Sequence, residues 1–521
     1  MVVIYTDTNK ITTVFDNSPL NYGRKRITLN YSEVTPDNFK EVFEKAKSIH
    51  ASNKSDCEYL IGMFLGRQNI LNRQAPNTSN INNRTVVNYA FPISRQIVGY
   101  TLGNPIELVP KDTTKSDSVQ TLSDILNYEG IYATDICTAL FSSICGIGYQ
   151  ITLPSSEISH DNTPDIPIVV DYLDPRYTFV VQSTDIGNPQ IMSCVELTDA
   201  EGSMVKYVAF TDNYKFTITK TAEGEETFTT EENVIGLDPI TPYENSLFLT
   251  GDWEQAISVM DALNQVTSDS LNDIEGTIKS LLVLIGCELD DSEETLKSIK
   301  EKRLLSIAGG TESVSGNLDA KFIAPKLDSV SVQNIREFLE DARNVITGIP
   351  DRSANSSGGD TGEAVINRDG WTDLEIVAKL KELFIKKAKA KQLAVAIEIL
   401  KKVDKLPETL SALDVTPSIG RHTTDNLGTK TTAFSTLVAT GELATIDCLE
   451  MSGLTTRVTE VVERGKEAKE ERMKENQEVL GHNYNHAYIS TVDKNSDEKK
   501  SGSNMKVSEP KTVIGNSEKV G

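Results

Sequence analysis

The chain has 521 residues, of which 38% are hydrophobic and 25% charged, and its 52 Lys plus Arg against 76 Asp plus Glu leave a formal net charge of −24. That length is too great for one compact core and points to about three modules, while the excess of acid argues against a tight general binder of duplex DNA, whose affinity comes from cationic contacts to phosphate and counterion release. The six cysteines, at 57, 137, 145, 194, 287 and 448, include no CxxC pair and give no sign of a zinc knuckle or a disulfide framework, so they are expected as reduced, buried thiols in a cytoplasmic protein.

The N-terminal MVVIYTDTNK lacks the basic region, apolar core and cleavage site of a signal peptide. TPDNFKEVFEKAKSIH opens with Thr35 as an expected N-cap and Pro36 at the first helical position, and Phe39, Val42, Phe43 and Ala46 recur at helical spacing. A second helix is expected over about 54–71, closed by the polar loop NRQAPNTSNINN. A third begins near Thr85, carries Val86, Ala90, Ile93, Ile97 and Val98, and stops at the Gly103–Asn104–Pro105 turn. A further helix follows around 119–135, then an apolar segment to GIGYQITL.

From about Ile166 to Ile235 the period changes to two. IPIVVDYL, YTFVVQS, IMSCVEL, VKYVAF, KFTITK and ETFTT are rich in β-branched and aromatic residues and separated by turn residues, which predicts a small, largely antiparallel β module. Helical spacing returns after TGDWE, where Ile257, Met260, Leu263, Val266 and Leu271 line one side of a helix. A mixed segment over 286–326 holds the acidic DDSEETLKSIKEK and the extended pieces RLLSIAG and AKFIAP. The longest apolar run, SLLVLIGC, is far short of the ~20 residues that cross a bilayer.

Val332, Ile335, Phe338, Leu339, Ala342, Val345 and Ile346 mark another helix, followed at once by the loop TGIPDRSANSSGGDTGEA. Asp360 with Glu363 makes a capping-box-like start, and the pattern then runs to about Val403, close to forty residues or roughly 60 Å. Such a helix must span between modules or belong to a large assembly. A smaller helical region (TAFSTLVATGELATIDCLEMSGL), a charged helix over about 457–480 and a polar tail of disordered composition complete the chain. The fold class is therefore α+β, mainly helical and multi-module, with long helices, a small antiparallel β module and a mixed segment.

The glycines of TGIPDRSANSSGGDTGEA invite a test for phosphate binding. A P-loop needs GxxxxGK[ST] after a strand; here a helix precedes the glycines, no Lys follows them, and Asp360 and Glu363 repel phosphate. A dinucleotide fingerprint fails for want of GxGxxG after a strand. The five histidines, at 50, 160, 422, 482 and 486, are scattered; His482 and His486 share i, i+4 spacing by chance more readily than as zinc ligands. No GxSxG elbow is present, and Asp290–Asp291 reads as a solvated turn. Neither a catalytic centre nor a cofactor or metal site is indicated. Lys379, Lys381, Lys386, Lys387, Lys389 and Lys391 do not fall on one helical face, so a solvated or intersubunit surface is the default, with a DNA-facing stripe as the alternative.

Three stretches in order carry a resemblance. FLGRQNILNR with RTVVNYAFPISRQIVGYTLGNPIEL, GIGYQITL with LDPRYTFVV, and VITGIPDRSANSSGGDTGEAV before the long helix resemble the portal proteins of tailed double-stranded DNA bacteriophages, the siphophage-type group. The likeness covers roughly 55–405. Thr361 stands where family members often have Ser, a mild departure.

The resemblance implies a homo-oligomeric ring, typically of twelve subunits, at one capsid vertex, with host cytoplasm as its place of assembly. Carried over by position, residues 1–165 would be a helical N-terminal wing and 166–250 its β module. Residues 251–277 and 328–348 would be two stem helices, 278–327 the clip and 349–362 the channel loop. Residues 363–403 would be a long wing helix, 404–480 a crown-like helical region and 481–521 a tail. Pro350, Arg352, Ser353, Asn355, Ser356, Ser357, Gly358 and Gly359 would face DNA; the small side chains permit close approach, and Arg352 and Asn355 could touch phosphates briefly. Implied partners are the terminase large subunit, the major capsid and scaffolding proteins, the head–tail adaptor and double-stranded DNA in passage, with no membrane, cofactor or catalysis. Twelve copies at −24 each would carry roughly −290, which suits a conduit that must not adhere to phosphate. Other expectations are an acidic capsid-associated scaffold or adaptor and a nucleotide-using enzyme outside the known motifs.

Overall fold

Residues 10–11, 20–74, 81–155, 167–199, 204–222, 224–278, 281–285, 304–307, 319–323, 329–350, 371–420, 427–452, 454–455, 458 and 461–474 are described in the computed structural model of the chain. They belong to two compact units, Met1–Thr424 and Asp425–Gly521.

The period-two segments of the first unit form strands. β1 (Lys10–Ile11) and β2 (Leu20–Asn21) make a short antiparallel pair. A six-stranded sheet runs in the order β11-β10-β9-β8-β7-β3, from β7 (Thr178–Ser183), β8 (Gln190–Thr198), β9 (Met204–Phe210), β10 (Tyr214–Thr221) and β11 (Glu226–Glu232), all antiparallel neighbours, with β3 (Ile27–Leu29) joined parallel to β7. The alternation of β10 buries Phe216 and Ile218. Helix α1 (Phe39–Phe64) covers that face, with Phe39 stacked on Phe216 at 4.1 Å between ring centroids. A second antiparallel sheet, β12-β5-β6, combines β5 (Ile147–Pro154), β6 (Ile168–Leu173) and β12 (Ile240–Glu244). The sheets thus draw β3 and β5 from outside the 166–250 stretch.

The helical patterns differ from expectation at three places. The two helices expected over 36–50 and 54–71 are one, α1, because the polar residues between them are buried and bonded: His50 Nε2 meets Arg176 O at 3.1 Å, and Asn53 exchanges hydrogen bonds of 2.8 Å with the Lys25 backbone. Thr35 does not cap it; Thr35 to Asn38 form a turn, and the helix begins at Phe39. The helix expected over 119–135 is broken after Tyr128, giving α3 (Ser116–Tyr128) and α4 (Ile131–Cys145), so the apolar segment beyond it is helical. The helix expected from Thr85 begins later, as α2 (Ala90–Thr101).

Three longer helices complete the first unit: α5 (Ile257–Ile278), α6 (Ser329–Thr347) and α7 (Trp371–Lys402). Between α5 and α6 in sequence lies a small mixed sheet, β14-β13-β15, in which β13 (Leu281–Ile285) pairs parallel with β14 (Leu304–Ile307) and antiparallel with β15 (Asp319–Ile323). The C-terminal half of α7 is the centre of the largest apolar cluster, where Leu393, Val395, Ala396, Ile397, Ile399 and Leu400 meet Val119, Leu122 and Leu126 of α3 and Ile168 and Val170 of β6. β4 (Ile106–Pro110) pairs with β16 (Val415–Ile419) beside it. The start expected for the long helix, Asp360–Glu363, and the tail over 481–521 lie outside the described residues. In the second unit α8 (Leu427–Thr440) packs on α9 (Thr445–Ser452), and residues 461–474 are helical and mostly exposed. The mixture of helix and sheet agrees with the α+β class.

Candidate functional site

The most distinctive geometry gathers where α5, α6 and α7 leave a common root. Trp253, Ile257 and Met260 are fully buried in one cluster with Ile93, Ile97, Ile144 and Leu374, so the first turns of α5 are fixed in the core. The loop before it runs against the end of α4. Gly146 has φ +81°, and a Cβ there would lie 1.9 Å from the carbonyl oxygen of Leu249, itself left-handed at φ +54°. No other residue fits without moving that strand of backbone.

Charges pin the same loop. Asp252 accepts from Lys381 Nζ at 2.5 Å, Ser143 Oγ at 2.6 Å and Asn245 Nδ2 at 2.8 Å. Glu254 accepts from Arg24 at 2.6 Å and from the backbone N–H groups of Gly23 and Gly251 at 2.8 Å. Burial pushes the Glu254 carboxyl up, against the downward pull of Arg24 and those N–H groups. Two turns further along α7, Lys389 donates to both oxygens of Asp135 at 2.9 Å, and Asp135 also accepts from Gln150, which accepts from the Tyr243 hydroxyl. Lys389 is only 2% exposed. Such pairs add little net stability but are costly to break, since removing one partner leaves a buried charge.

The lysines of the long helix therefore divide. Lys381 and Lys389 are internal ties, whereas Lys379 and Lys386 pair with Glu375 and Glu382 one turn back on the surface. The expectation of a solvated or intersubunit surface fails for the two buried ones. The only sequence signal is their i, i+8 spacing among Ala378, Ile385, Ala388 and Gln392, a buried stripe.

One face of α5 is covered by an extended segment, residues 81–89. The backbone N–H groups of Val87, Thr85 and Asn83 donate to Asn264 Oδ1 at 2.7 Å, Ser268 Oγ at 2.9 Å and Asn272 Oδ1 at 2.7 Å. Alternate residues of an extended chain thus meet every fourth residue of a helix. The segment is extended here because alternate N–H groups reach these acceptors one after another, and the helix begins only at Ala90. Asn69 Nδ2 donates to Asp261 Oδ2 at 2.9 Å, and burial pushes the Asp261 carboxyl up to about 6.

α6 lies along α5 and contrasts with it. One side of its regular apolar pattern faces outward: Val330, Ile335 and Ile346 are exposed, Phe338 is 70% exposed and Val345 81%, while Val332, Leu339 and Ala342 are half-buried. Its C-terminal end is held by side chains as well. The Arg343 guanidinium stacks 3.8 Å from the Tyr89 ring centroid, and the Tyr89 hydroxyl donates to Glu340 at 3.1 Å. Gly348, at φ +66°, turns the chain, and Ile349 N–H returns to Asn344 O at 3.2 Å. A Cβ on Gly348 would meet Val377 Cγ2 of α7 at 2.9 Å.

Of the residues expected to face DNA, Pro350 is buried at the end of this turn; Arg352, Ser353, Asn355, Ser356, Ser357, Gly358 and Gly359 lie outside the described residues. Both ends of segment 351–370 rest on one core: Ile349 on one side, Trp371, Leu374 and Val377 on the other. Tyr100 secures the second end, its ring 6.3 Å from that of Trp371 and its hydroxyl donating to Glu375 at 2.8 Å. The residues that flank segment 351–370 therefore share one anchored platform at the foot of α6. Sequence reasoning missed this platform, since its contacts join residues 89, 100, 343 and 371.

Among the described residues no group of three or more His, Cys, Asp or Glu side chains could hold a metal ion, and no helix is long and apolar enough to cross a membrane. A family model described as "Phage portal protein, SPP1 Gp6-like" matches residues 44–475. No curated protein sequence matches the chain.

Proposed function

This chain belongs to the phage portal protein family of the SPP1 Gp6-like kind, a structural rather than enzymatic family of the virion, and from that premise we propose that copies of it line a channel through which double-stranded DNA is packaged and later ejected. The family implies a homo-oligomeric ring at a capsid vertex. In this reading α5 and α6 are the stem helices, with 281–323 as part of the clip that meets the terminase large subunit and then the head–tail adaptor. Residues 1–250 form the wing with its β module, α7 belongs to the long wing helix, and the region beyond it, to 480, is the crown. Segment 349–362, with Pro350, Arg352, Ser353 and Asn355 to Gly359, is the channel loop.

The observation that carries the proposal is the outward apolar stripe of α6. Phe338 and Val345, seven residues apart on one face, are 70% and 81% exposed on a helix whose neighbours in the chain leave them uncovered. A contiguous exposed apolar face marks an interaction surface, and a ring built from one interface repeated head to tail buries it with no free copy. Charge supports the channel: α5 carries Asp261, Asp269, Asp273 and Glu275 and no Lys or Arg, so that stem helix offers phosphate little to adhere to. Electron microscopy of negatively stained, purified full-length protein is the test. Closed rings with a hole wide enough for duplex DNA are expected; monomers or dimers at every concentration would overturn the proposal.

A further inference from the structure

Two thiols lie in the core on which the root of α5 rests. Cys57 lies on α1 and Cys145 is the last residue of α4; both are buried in one apolar cluster and neither is in a disulfide. The helices that carry them pack against each other in that cluster. Cys57 also lines a cavity of about 30 Å³, together with Arg24, Lys25, His50, Asn53 and Tyr149. A cavity of that size, lined by both polar and apolar groups, holds one or two water-sized molecules. Hydrogen peroxide meets that limit; a glutathione-sized oxidant does not.

We propose that Cys57 and Cys145 are a peroxide-oxidised dithiol, whose disulfide ties α1 to α4 once the particle has left a reducing compartment. Cys57 opens on the cavity and acts first. Its sulfur, beside the Arg24 guanidinium, attacks one peroxide oxygen; the O–O bond breaks, and the departing hydroxide takes the Cys57 proton and leaves as water. Cys57 then holds a sulfenic acid. The sulfur of Cys145 attacks it, the S–S bond forms as the S–O bond breaks, and the hydroxyl leaves with the Cys145 proton as a second water. Two thiols and one peroxide become one disulfide and two waters. The cavity lining includes Cys57 and not Cys145, which sets the order of the two steps. Thiols stay reduced in cytoplasm, where glutathione and thioredoxin maintain them, and lose that protection outside the cell. The bond would close a long loop and restrict the unfolded chain.

The test is peptide mapping of the folded, full-length protein after treatment with hydrogen peroxide, with remaining thiols alkylated under denaturing conditions and no reductant. A Cys57–Cys145 cross-linked peptide, abolished by dithiothreitol, is expected, while Cys194, equally buried, stays alkylatable. The oxidised protein is expected to unfold at higher urea concentration than the reduced one. In Cys145→Ala, a dimedone-reactive sulfenic acid at Cys57 is expected in place of the cross-link. Absence of the 57–145 peptide from folded protein that has consumed peroxide, its formation only after unfolding in urea, or oxidation of Cys194 at the same rate would each overturn the proposal. The wild-type mapping decides even where the variant fails to fold.

Discussion

α6 and the C-terminal half of α7 are both apolar helices, yet they bury their apolar residues in opposite ways. Leu393 to Leu400 are covered almost on every side by α3, β6 and the residues after the helix. In α6, where apolar residues return at steps of three and four, Thr347 alone counts as buried. The tidy stripe is thus on the helix that its own chain leaves bare, and the less regular pattern is on the helix that its own chain surrounds. A helix buried all round has no polar face to keep, whereas one that meets a partner along a single seam keeps a clean one. Amphipathic periodicity reports that something will cover a face; it does not say whether that cover belongs to the same chain.

Substitutions separate the two helices, and the largest effect falls on α7. Lys389→Ala strands the Asp135 carboxylate and is expected to lower the stability of the isolated chain by about 3–5 kcal/mol in urea unfolding, with a Lys389→Met, Asp135→Leu double variant recovering most of it. Loss of less than about 1 kcal/mol would mean that water reaches Asp135 and α7 is not the internal helix described.

At the root shared by the helices, the effect depends on pH. Asp261, with an ordinary value of 3.8 raised to about 6, stays protonated in the folded chain where the unfolded one is ionised. Its contribution is therefore full below pH 3.8 and is lost as pH rises to about 6, at up to about 1.4 kcal/mol per pH unit, with no further change above that. Asp261→Asn, which can still accept from Asn69, is expected to flatten this slope in urea midpoints measured across that range. An unchanged slope would assign it to other groups.

Gly348→Ala is expected to cost about 1–2 kcal/mol, from the left-handed backbone and from crowding of Val377. It should also shift where segment 351–370 leaves α6. A limited-proteolysis pattern identical to wild type would show that the turn does not set that segment. The smallest effect on the chain itself is expected for Phe338→Asp, within about 0.5 kcal/mol, because the side chain is already exposed. The same substitution is expected to abolish rings in sedimentation velocity. Rings that persist would place the α6 stripe away from the subunit contact.

Much of the element order is legible in the residues, for physical reasons that also mark where legibility ends. Phe216 and Ile218 alternate because β10 has one buried face, and Ile335, Phe338 and Val345 recur because α6 has one apolar seam. The continuity of α1 is hidden because His50, Asn53 and Asp56 look like a polar break, and only the fold supplies the partners that make them interior residues. Lys381 and Lys389 look like surface charge until Asp252 and Asp135 arrive from remote parts of the chain. TGIPDRSANSSGGDTGEA stands out at once by its composition, yet what anchors its ends, Tyr89, Tyr100 and Trp371, is set by tertiary contact.

The segment laid along α5 has a consequence of metre. Two residues of extended chain advance about 6.6–6.8 Å, and four residues of helix about 6.0 Å. The two scales slip past one another by roughly 0.7 Å at each rung, so they act as a vernier: Val87, Thr85 and Asn83 stay within hydrogen-bonding reach, and a longer run would drift out of step. At the far end the Asn83 side chain donates both to Asn272 and to Glu275, each at 3.0 Å. Inserting or deleting one residue between 83 and 87 would therefore put the rungs on either side of the change out of step with each other.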